Sequence, residues 1–169
     1  VLVLGYFNGP PSRRILDGAL RMREKGLVRF VGVSSHKRAL FPKLHHDGRI
    51  DVYHLRYSAA HSGAETDVFP QLTGPERAGV VAFTATTWGR LCEPARMPAG
   101  ETALTAAACY RFALSHSSVD VCMMAVRSVE EMRQNLELLE RGPLAAEEMA
   151  RVRRIGDHVY GRPRARPAG

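Results

Sequence analysis

The feature that most limits the fold of this chain is a regular alternation of strand-like and helix-like segments. Short runs rich in branched apolar residues are separated by segments in which apolar residues recur every three or four positions. Strands are predicted at residues 1–4, 27–33, 50–55, 79–84 and 119–124, and helices at residues 12–26, 37–46, 65–72, 102–114, 128–139 and 144–155. Because helix-length connections join consecutive strands, the pattern predicts an α/β fold with a parallel sheet covered by helices.

Two architectures satisfy this pattern. A doubly wound sheet of five strands is complete in 169 residues, whereas a (β/α)8 barrel needs eight strands and roughly 250 residues. The sequence has no G-x-G-x-x-G or P-loop motif, which counts against a doubly wound nucleotide-binding fold. The alternation by itself leaves both architectures open.

The start of the chain bears on this choice. The run Val-Leu-Val-Leu at residues 1–4 is predicted to form a strand that is buried on both faces. A buried strand without a preceding lead-in is an unusual way to begin a domain, so we expect the natural N-terminus to lie upstream. The alternatives are a GTG start codon and a short first strand in a complete small fold.

Composition and charge exclude several classes of protein. Hydrophobic residues make up 45% of the chain and charged residues 24%, which is typical of a globular domain and excludes disorder over most of its length. No apolar run approaches the ~18 residues of a membrane span, and no signal-peptide pattern is present. The net charge of +7 is spread along the chain, with a cluster only at Arg162, Arg164 and Arg166, so no nucleic-acid partner is predicted.

The cysteine and histidine residues predict neither a disulfide framework nor a metal site. The three cysteines, Cys92, Cys109 and Cys122, are an odd number without C-x-x-C spacing, which fits a reducing cytoplasm. Histidines such as His54 and His61 match no standard zinc spacing.

Five successive segments carry a resemblance to a known family. They read G-L-V-R-F-V-G-V-S-S at residues 26–35, V-Y-H-L-R-Y-S at 52–58, G-V-V-A-F-T-A-T-T-W-G-R-L at 79–91, an alanine-rich helix at 103–114, and A-V-R-S-V-E-E-M-R-Q-N at 125–135. In this order and with these spacings, residues 1 to about 150 resemble the aldo/keto reductase family.

The resemblance implies a fold and a domain organisation. The family is a (β/α)8 TIM barrel, and this chain resembles its C-terminal part from about the fourth strand onward, with about five βα units plus a terminal helix. Residues 1–160 are expected to form this partial barrel, and residues 161–169 an Arg/Pro-rich tail that is expected to be disordered.

The resemblance also implies a reaction. The family transfers a hydride from a nicotinamide to a carbonyl carbon, while a tyrosine assisted by lysine, aspartate and histidine protonates the oxygen. The family's aspartate, tyrosine and lysine have no match in these 169 residues, and the histidine position is occupied by Gly5 or Tyr6. Tyr6 is either a hydroxyl near the substrate oxygen or a packing residue at a strand end, and no catalytic residue is identified.

Four residues match the part of the family's site that holds the nicotinamide. Ser34 and Ser35 match a serine–asparagine pair that clamps the carboxamide, although both serines are equally suited to capping the next helix. His54 stands where the family has glutamine. Phe83 matches the tyrosine that stacks under the nicotinamide, with a core-filling role as the alternative.

Five residues match the part that holds the pyrophosphate and the adenosine. Thr84 begins the loop over the pyrophosphate, and Arg127, Ser128, Glu131 and Asn135 match the stretch that binds the adenosine ribose phosphate. Arg127 offers a bidentate fork for a 2′-phosphate, which favours NADP, and Ser128 is also a plain helix N-cap. Glu131 replaces a glutamine or arginine of the family and would repel a phosphate nearby.

These matches lead to one functional interpretation and two alternatives. The chain is expected to be part of a cytoplasmic, NADP-dependent oxidoreductase that reduces aldehydes and ketones, with the cofactor-binding half present and the acid-catalyst half missing. Its partner is a small carbonyl substrate, and the 169 residues alone are expected to lack turnover. The first alternative is a catalytically inactive, reductase-like barrel that serves as a nucleotide-binding or interaction protein, and the second is a complete five-stranded α/β domain.

Overall fold

The computed structural model describes residues 1–161 and contains one sheet within them. Its strands lie in the order in which they occur along the chain, and the pairs with assigned register are parallel. The strands are β1 (Leu2–Tyr6), β2 (Val31–Ser35), β3 (Val52–Arg56), β4 (Gly79–Phe83) and β5 (Val121–Cys122). This confirms the predicted α/β class and the arrangement of a partial barrel. The predicted tail lies outside the described residues from residue 162 onward.

Helices connect the strands as the alternation predicts. They are α1 (Arg13–Glu24), α2 (Leu40–Asp47), α3 (Ala64–Asp67), α4 (Ala106–Leu114), α5 (Val129–Leu136), α6 (Leu138–Arg141) and α7 (Ala146–Tyr160), with short 3-10 helices at Phe69–Gln71, Arg90–Cys92 and Pro94–Arg96. Ser12 caps α1 by accepting a hydrogen bond from the N–H of Ile15 at 3.4 Å, as predicted. The helix predicted at residues 128–139 is instead divided into α5 and α6.

The inner strands have a fully buried face and a half-buried face. Side chains of one face, including those of Val33, Leu55 and Val80, have no exposed surface. The alternate positions, including Ser34 and His54, keep part of their surface exposed. This period of two is the pleat of a strand, and it directs polar side chains to the half-buried face.

The expectation that residues 1–4 are buried on both faces is wrong. Val1 and Val3 of this segment are 69% and 37% exposed. The physical reason is position, because β1 is an edge strand that pairs only with β2. An apolar run indicates that a strand is suited to burial, but it does not indicate whether the strand has a neighbour on each side in the sheet.

The predicted apolar stripe of the helix at 128–139 is present but largely exposed. Val129 and Leu139 are 68% and 71% exposed, whereas the polar Asn135 is one of the buried residues of α5. The pattern therefore predicted the helix correctly but did not indicate which side faces the interior.

The residues group into two compact units. The first comprises Val1–Arg56, Gly63–Ala82 and Ser118–Val121, and the second comprises Tyr57–Ser62, Phe83–Ser117 and the described part of Cys122–Gly169.

A repeated aspartate–arginine contact stabilises the first unit. Asp51 lies just before β3, accepts hydrogen bonds from Arg23 at 3.0 and 2.8 Å, and also accepts the N–H that begins β2. Asp120 lies just before β5 and accepts two hydrogen bonds of 2.8 Å from Arg77, together with an N–H of β4. The hydrogen bonds from Arg77 hold the pKa of Asp120 below its usual range.

Two contacts of buried groups hold the second unit together. The guanidinium of Arg111 in α4 is 5% exposed, and it donates to the carbonyls of Gly142 and Pro143 and to the carboxylate of Glu148 in α7. Gly156 of α7 packs directly on the backbone of Ala59. Both contacts fix α7 within this unit.

Candidate functional site

Two adjoining clefts lie within the second unit. The larger has a volume of about 550 Å³ and the smaller of about 320 Å³, and they share Thr86, Tyr110 and Ala125. The other residues of the larger cleft are Gly89, Cys92, Leu104, Thr105, Ala106, Ala107, Arg127, Glu131, Gln134, Asn135, Glu137 and Arg141. Volumes of this size accommodate small-molecule ligands and cofactors.

A strained loop contributes to both clefts. Thr84, Thr87 and Trp88 have φ angles of 62°, 54° and 55°, in a region that non-glycine residues seldom adopt. The hydroxyl groups of Thr87 and Ser58, both buried, form a hydrogen bond of 3.0 Å that fixes this conformation. Strain held in place by buried contacts is common at ligand sites. The hydrogen bond between Ser58 and Thr87 therefore stabilises the loop conformation that lines the clefts.

The N-terminal end of α4 forms another wall of the larger cleft. Thr105 caps this helix by accepting a hydrogen bond from the N–H of Ala108 at 3.1 Å. Ala106 and Ala107, in the first turn, line the cleft, and their small side chains leave the backbone accessible. First-turn N–H groups have no partner within the helix and carry partial positive charge. This wall suits an acceptor-rich ligand group.

Arg127 and Glu131 form an ion pair at the edge of the larger cleft. The guanidinium Nη2 of Arg127 donates to Glu131 Oε1 at 2.8 Å, and its backbone N–H donates to Oε2 at 2.8 Å. These bonds lower the pKa of Glu131 and raise that of Arg127. Ser128 caps α5 by accepting the N–H of Glu131 at 3.1 Å, which is the capping role left open by the sequence.

Asn135 is the buried polar residue of this cleft. It lies one turn after Glu131, is 6% exposed, and lines the cleft. Within residues 1–161 its side-chain amide makes no hydrogen bond, and the amide is not among the fully enclosed polar atoms, so it is reached from the cleft. Buried amides are normally satisfied by a partner, and an amide offers both a donor and an acceptor. Asn135 therefore points to a ligand with polar atoms of both kinds.

The smaller cleft has a more apolar lining. Phe83 and Thr84 lie in it together with Trp88, Met123 and Met124. A half-buried aromatic ring in such a lining is suited to stacking on a planar group. Phe83 and Thr84 thus adjoin the larger cleft through the shared Thr86.

The remaining predicted cofactor residues lie in the first unit. Ser34 of β2 and His54 of β3 are register partners in the sheet. Ser35 is buried; its hydroxyl donates to the carbonyl of Phe7 at 2.7 Å and accepts the N–H of Lys37 at 2.9 Å. Its hydroxyl is thus engaged by the local backbone, but the capping alternative is wrong, because α2 begins at Leu40 after Ala39 and has no side-chain cap. Burial lowers the pKa of His54, which favours a neutral imidazole.

Gly5 and Tyr6, the two residues predicted for the position of the family's histidine, lie at the end of β1, and the Tyr6 side chain contacts Asn8 and His36. Its hydroxyl donates to Asn8 Oδ1 at 3.2 Å, and the edge of its ring meets the ring of His36 with 5.0 Å between centroids. Gly5 has a φ of 110°, where a side chain would be strained. Burial, with a contribution from Arg56, lowers the pKa of His36.

Sequence reasoning missed several residues of the clefts. Tyr110 lies between the two clefts, and burial raises the pKa of its hydroxyl. The first turn of α4 was missed because the helix was predicted to begin at residue 102. The run Thr105-Ala-Ala-Ala, an N-cap followed by small residues, was a usable signal. The Ser58–Thr87 hydrogen bond joins residues far apart in sequence and had no local signal.

Two classes of site are not seen among the described residues. No group of three His, Cys, Asp or Glu side chains within residues 1–161 is placed to hold a metal ion. Within the same range, no helix has the length and apolar character needed to cross a membrane.

Comparisons with known proteins agree on one family. Residues 86–157, which include most of the larger cleft, match the sequence profile described as Aldo/keto reductase family. No curated protein sequence matches the chain.

Solved structures share the fold. The chain is similar to the aldo-keto reductase AKR11C1 from Bacillus halodurans in its apo form, with a TM-score of 0.71 and 16% identity over 92% of this chain and 62% of that one. It is also similar to a thermostable aldo-keto reductase, Tm1743, with a TM-score of 0.65 and 21% identity over 92% of this chain and 60% of that one. A third similar structure is that of a putative 2,5-diketo-D-gluconic acid reductase B, with a TM-score of 0.67 and 18% identity over 92% of this chain and 56% of that one. The chain thus spans about three fifths of the length of these structures. The sequence match over residues 86–157 and the shared fold confirm the predicted resemblance to the aldo/keto reductase family, and a C-terminal portion of such a barrel fits both findings.

Proposed function

We propose that this chain binds NADP through the second unit and supplies the cofactor-binding half of an oxidoreductase that reduces aldehydes or ketones. The observation that carries the proposal is Asn135, a residue only 6% exposed whose amide opens to a cleft of about 550 Å³ and has no hydrogen-bond partner among residues 1–161. That cleft is built mainly from residues 86–157, the segment that matches the family. A base such as adenine offers the donor and acceptor atoms that an amide requires.

Different residues of the clefts are proposed to bind different parts of the cofactor. Asn135 binds the adenine, and Arg127, once its ion pair with Glu131 opens, binds the 2′-phosphate that distinguishes NADP from NAD. The pyrophosphate is held by backbone N–H groups of the loop at 84–89 and by the first turn of α4. Phe83 supports the nicotinamide ring by stacking. When bound, the reduced nicotinamide supplies the hydride.

In the first unit, Ser34 and His54 are proposed to be able to bind a carboxamide. Both occupy the half-buried face of the sheet, and a hydroxyl beside a neutral imidazole can donate to and accept from the nicotinamide carboxamide. The substrate is a small carbonyl compound, and the cytoplasm is the proposed location. Ser35 contributes through the loop that its hydroxyl holds rather than by direct contact.

The second candidate is a nucleotide-binding protein without catalysis. It is favoured by the absence of a histidine at either candidate position, Gly5 or Tyr6, and by the Tyr6 hydroxyl being bonded to Asn8. Both candidates bind the cofactor, so turnover of a carbonyl substrate by the whole protein separates them.

The test of cofactor binding is a fluorescence titration of NADPH against the chain and two variants. Asn135→Leu leaves the hydrogen-bonding groups of the base unpaired, so we expect its affinity for NADPH to fall about tenfold. Asn8→Leu changes the same residue type in the first unit, and its affinity should equal that of the parent chain. Far-UV circular dichroism checks that each variant is folded. A folded parent chain that does not bind NADPH, or an Asn135→Leu variant with unchanged affinity, would refute the proposal.

A further inference from the structure

We propose that Glu131 sets the selectivity between NADP and NAD, because its carboxylate already occupies the anion-binding position that Arg127 offers to a 2′-phosphate. This inference rests on the proposed function and adds a residue that controls it. A 2′-phosphate binds to Arg127 only after displacing Glu131, whereas a 2′-hydroxyl can donate to the same carboxylate.

The contacts of Glu131 are those expected of a bound anion. Its Oε1 accepts hydrogen bonds from Arg127 Nη2 at 2.8 Å and from Nε at 3.2 Å, so it meets the edge of the guanidinium that would face a phosphate. Its Oε2 accepts the backbone N–H of Arg127 at 2.8 Å. Both carboxylate oxygens of Glu131 therefore accept hydrogen bonds from Arg127. Phosphate oxygens seek the same guanidinium and backbone donors.

The exposure of the pair makes displacement possible. The side chains of Arg127 and Glu131 are 91% and 36% exposed, and exposed ion pairs are individually weak. A phosphate can therefore compete for Arg127, but the displaced carboxylate remains nearby and repels it. The other charged residues lining this cleft, Glu137 and Arg141, are of opposite sign and add no net charge.

The neighbouring Glu130 has none of these contacts. Its carboxylate accepts a hydrogen bond from Gln134 at 3.0 Å and lies 4.0 Å from Arg133. It is not part of the lining of the larger cleft. Glu130→Gln therefore removes the same charge from the same helical turn without touching Arg127, and is a matched control for Glu131→Gln.

The experiment compares dissociation constants by isothermal titration calorimetry. NADPH, NADH, adenosine 2′,5′-bisphosphate and adenosine 5′-monophosphate are titrated into the parent chain, Glu131→Gln and Glu130→Gln. We expect Glu131→Gln to increase the affinities for NADPH and the bisphosphate about tenfold, roughly the effect of one charge-assisted contact. Its affinity for NADH should stay the same or fall, and Glu130→Gln should leave the NADPH/NADH ratio unchanged.

Three other outcomes would contradict the role of Glu131, and the pattern of affinities distinguishes them. Equal gains in NADPH affinity for both variants would indicate a general charge effect and exclude a specific role of Glu131. An unchanged NADPH/NADH ratio in Glu131→Gln would show that the carboxylate does not compete. If the folded parent chain binds none of the four ligands, the proposed function fails as well, which distinguishes that failure from the first two.

Discussion

Replacing Gly156 with alanine is expected to lower the free energy of unfolding by about 3 kcal/mol, the upper end of the usual cost of overpacking a core. A Cβ at this position would meet the backbone C and O atoms of Ala59 and lie 2.7 Å from its Cβ. Contacts between carbon atoms are normally at about 3.5–4.0 Å. Because the opposing atoms are backbone, they cannot rotate away, and α7 must move off Ala59.

Gly18→Ala is the matched control for this variant. Gly18 also lies within a helix, α1, but a Cβ there would have only the guanidinium of Arg21 nearby, at 3.9 Å. Alanine is the better helix former by about 0.5–1 kcal/mol, so this variant should be slightly more stable than the parent. Urea unfolding measures both changes. A Gly156→Ala variant as stable as the parent would contradict the packing of α7 described above.

The second large effect is expected for Arg111→Met. The variant keeps most of the side-chain volume but removes the donor to the carbonyls of Gly142 and Pro143, and the carboxylate of Glu148 keeps the N–H of Ala145 and the more distant Arg141. Removing one partner of a buried ion pair typically costs about 3–5 kcal/mol. Because the Glu148 side chain is 39% exposed and keeps the N–H of Ala145, we expect a smaller loss, about 2 kcal/mol at pH 7 by urea unfolding, mainly from the two buried carbonyls. Arg13→Met, at an arginine that is 90% exposed, should have no measurable effect.

The same contact predicts a dependence of stability on pH. Hydrogen bonds from Arg111 lower the pKa of Glu148 from 4.5 to about 2. A carboxyl whose folded-state pKa is depressed stabilises the fold fully above its unfolded pKa, and this contribution disappears as the pH falls toward the folded value. Parent stability should therefore decline between pH 4.5 and pH 2 through this group, and the decline should be smaller in Arg111→Met. An identical acid dependence in both chains would contradict the assignment.

The sequence predicted those properties of the fold that depend on local pattern. The order of strands and helices follows from apolar periodicity, and the caps at Ser12 and Ser128 follow from residue type. Burial depends on neighbours that are distant in sequence, which is why the interpretation of residues 1–4 was wrong. The apolar stripe predicted at residues 128–139 gave no sign that Asn135 is buried and that Leu139 is exposed.

In the candidate site, too, residues within one helix were predicted, whereas contacts between separate elements were not. Arg127, Glu131 and Asn135 were predicted because a family resemblance supplies their roles, and they lie together because i, i+4 spacing places them on one face of a helix. Tyr110 and the Ser58–Thr87 hydrogen bond enter through contacts between separate elements, which no local pattern reports. The pairing of Arg127 with Glu131 needed side-chain geometry, because a spacing of four is compatible with a pair or with two independent groups.

The central claim, that the larger cleft binds the adenosine half of NADP, is tested most directly by nuclear magnetic resonance. Adenosine 2′,5′-bisphosphate is added to the ¹⁵N-labelled chain, and amide shifts are followed residue by residue. We expect saturable shifts of the amides of Thr86, Ala107, Arg127 and Asn135, and no shift of the amide of Ser35 in the first unit. A folded chain that shows no saturable shifts, or shifts confined to the first unit, would contradict it.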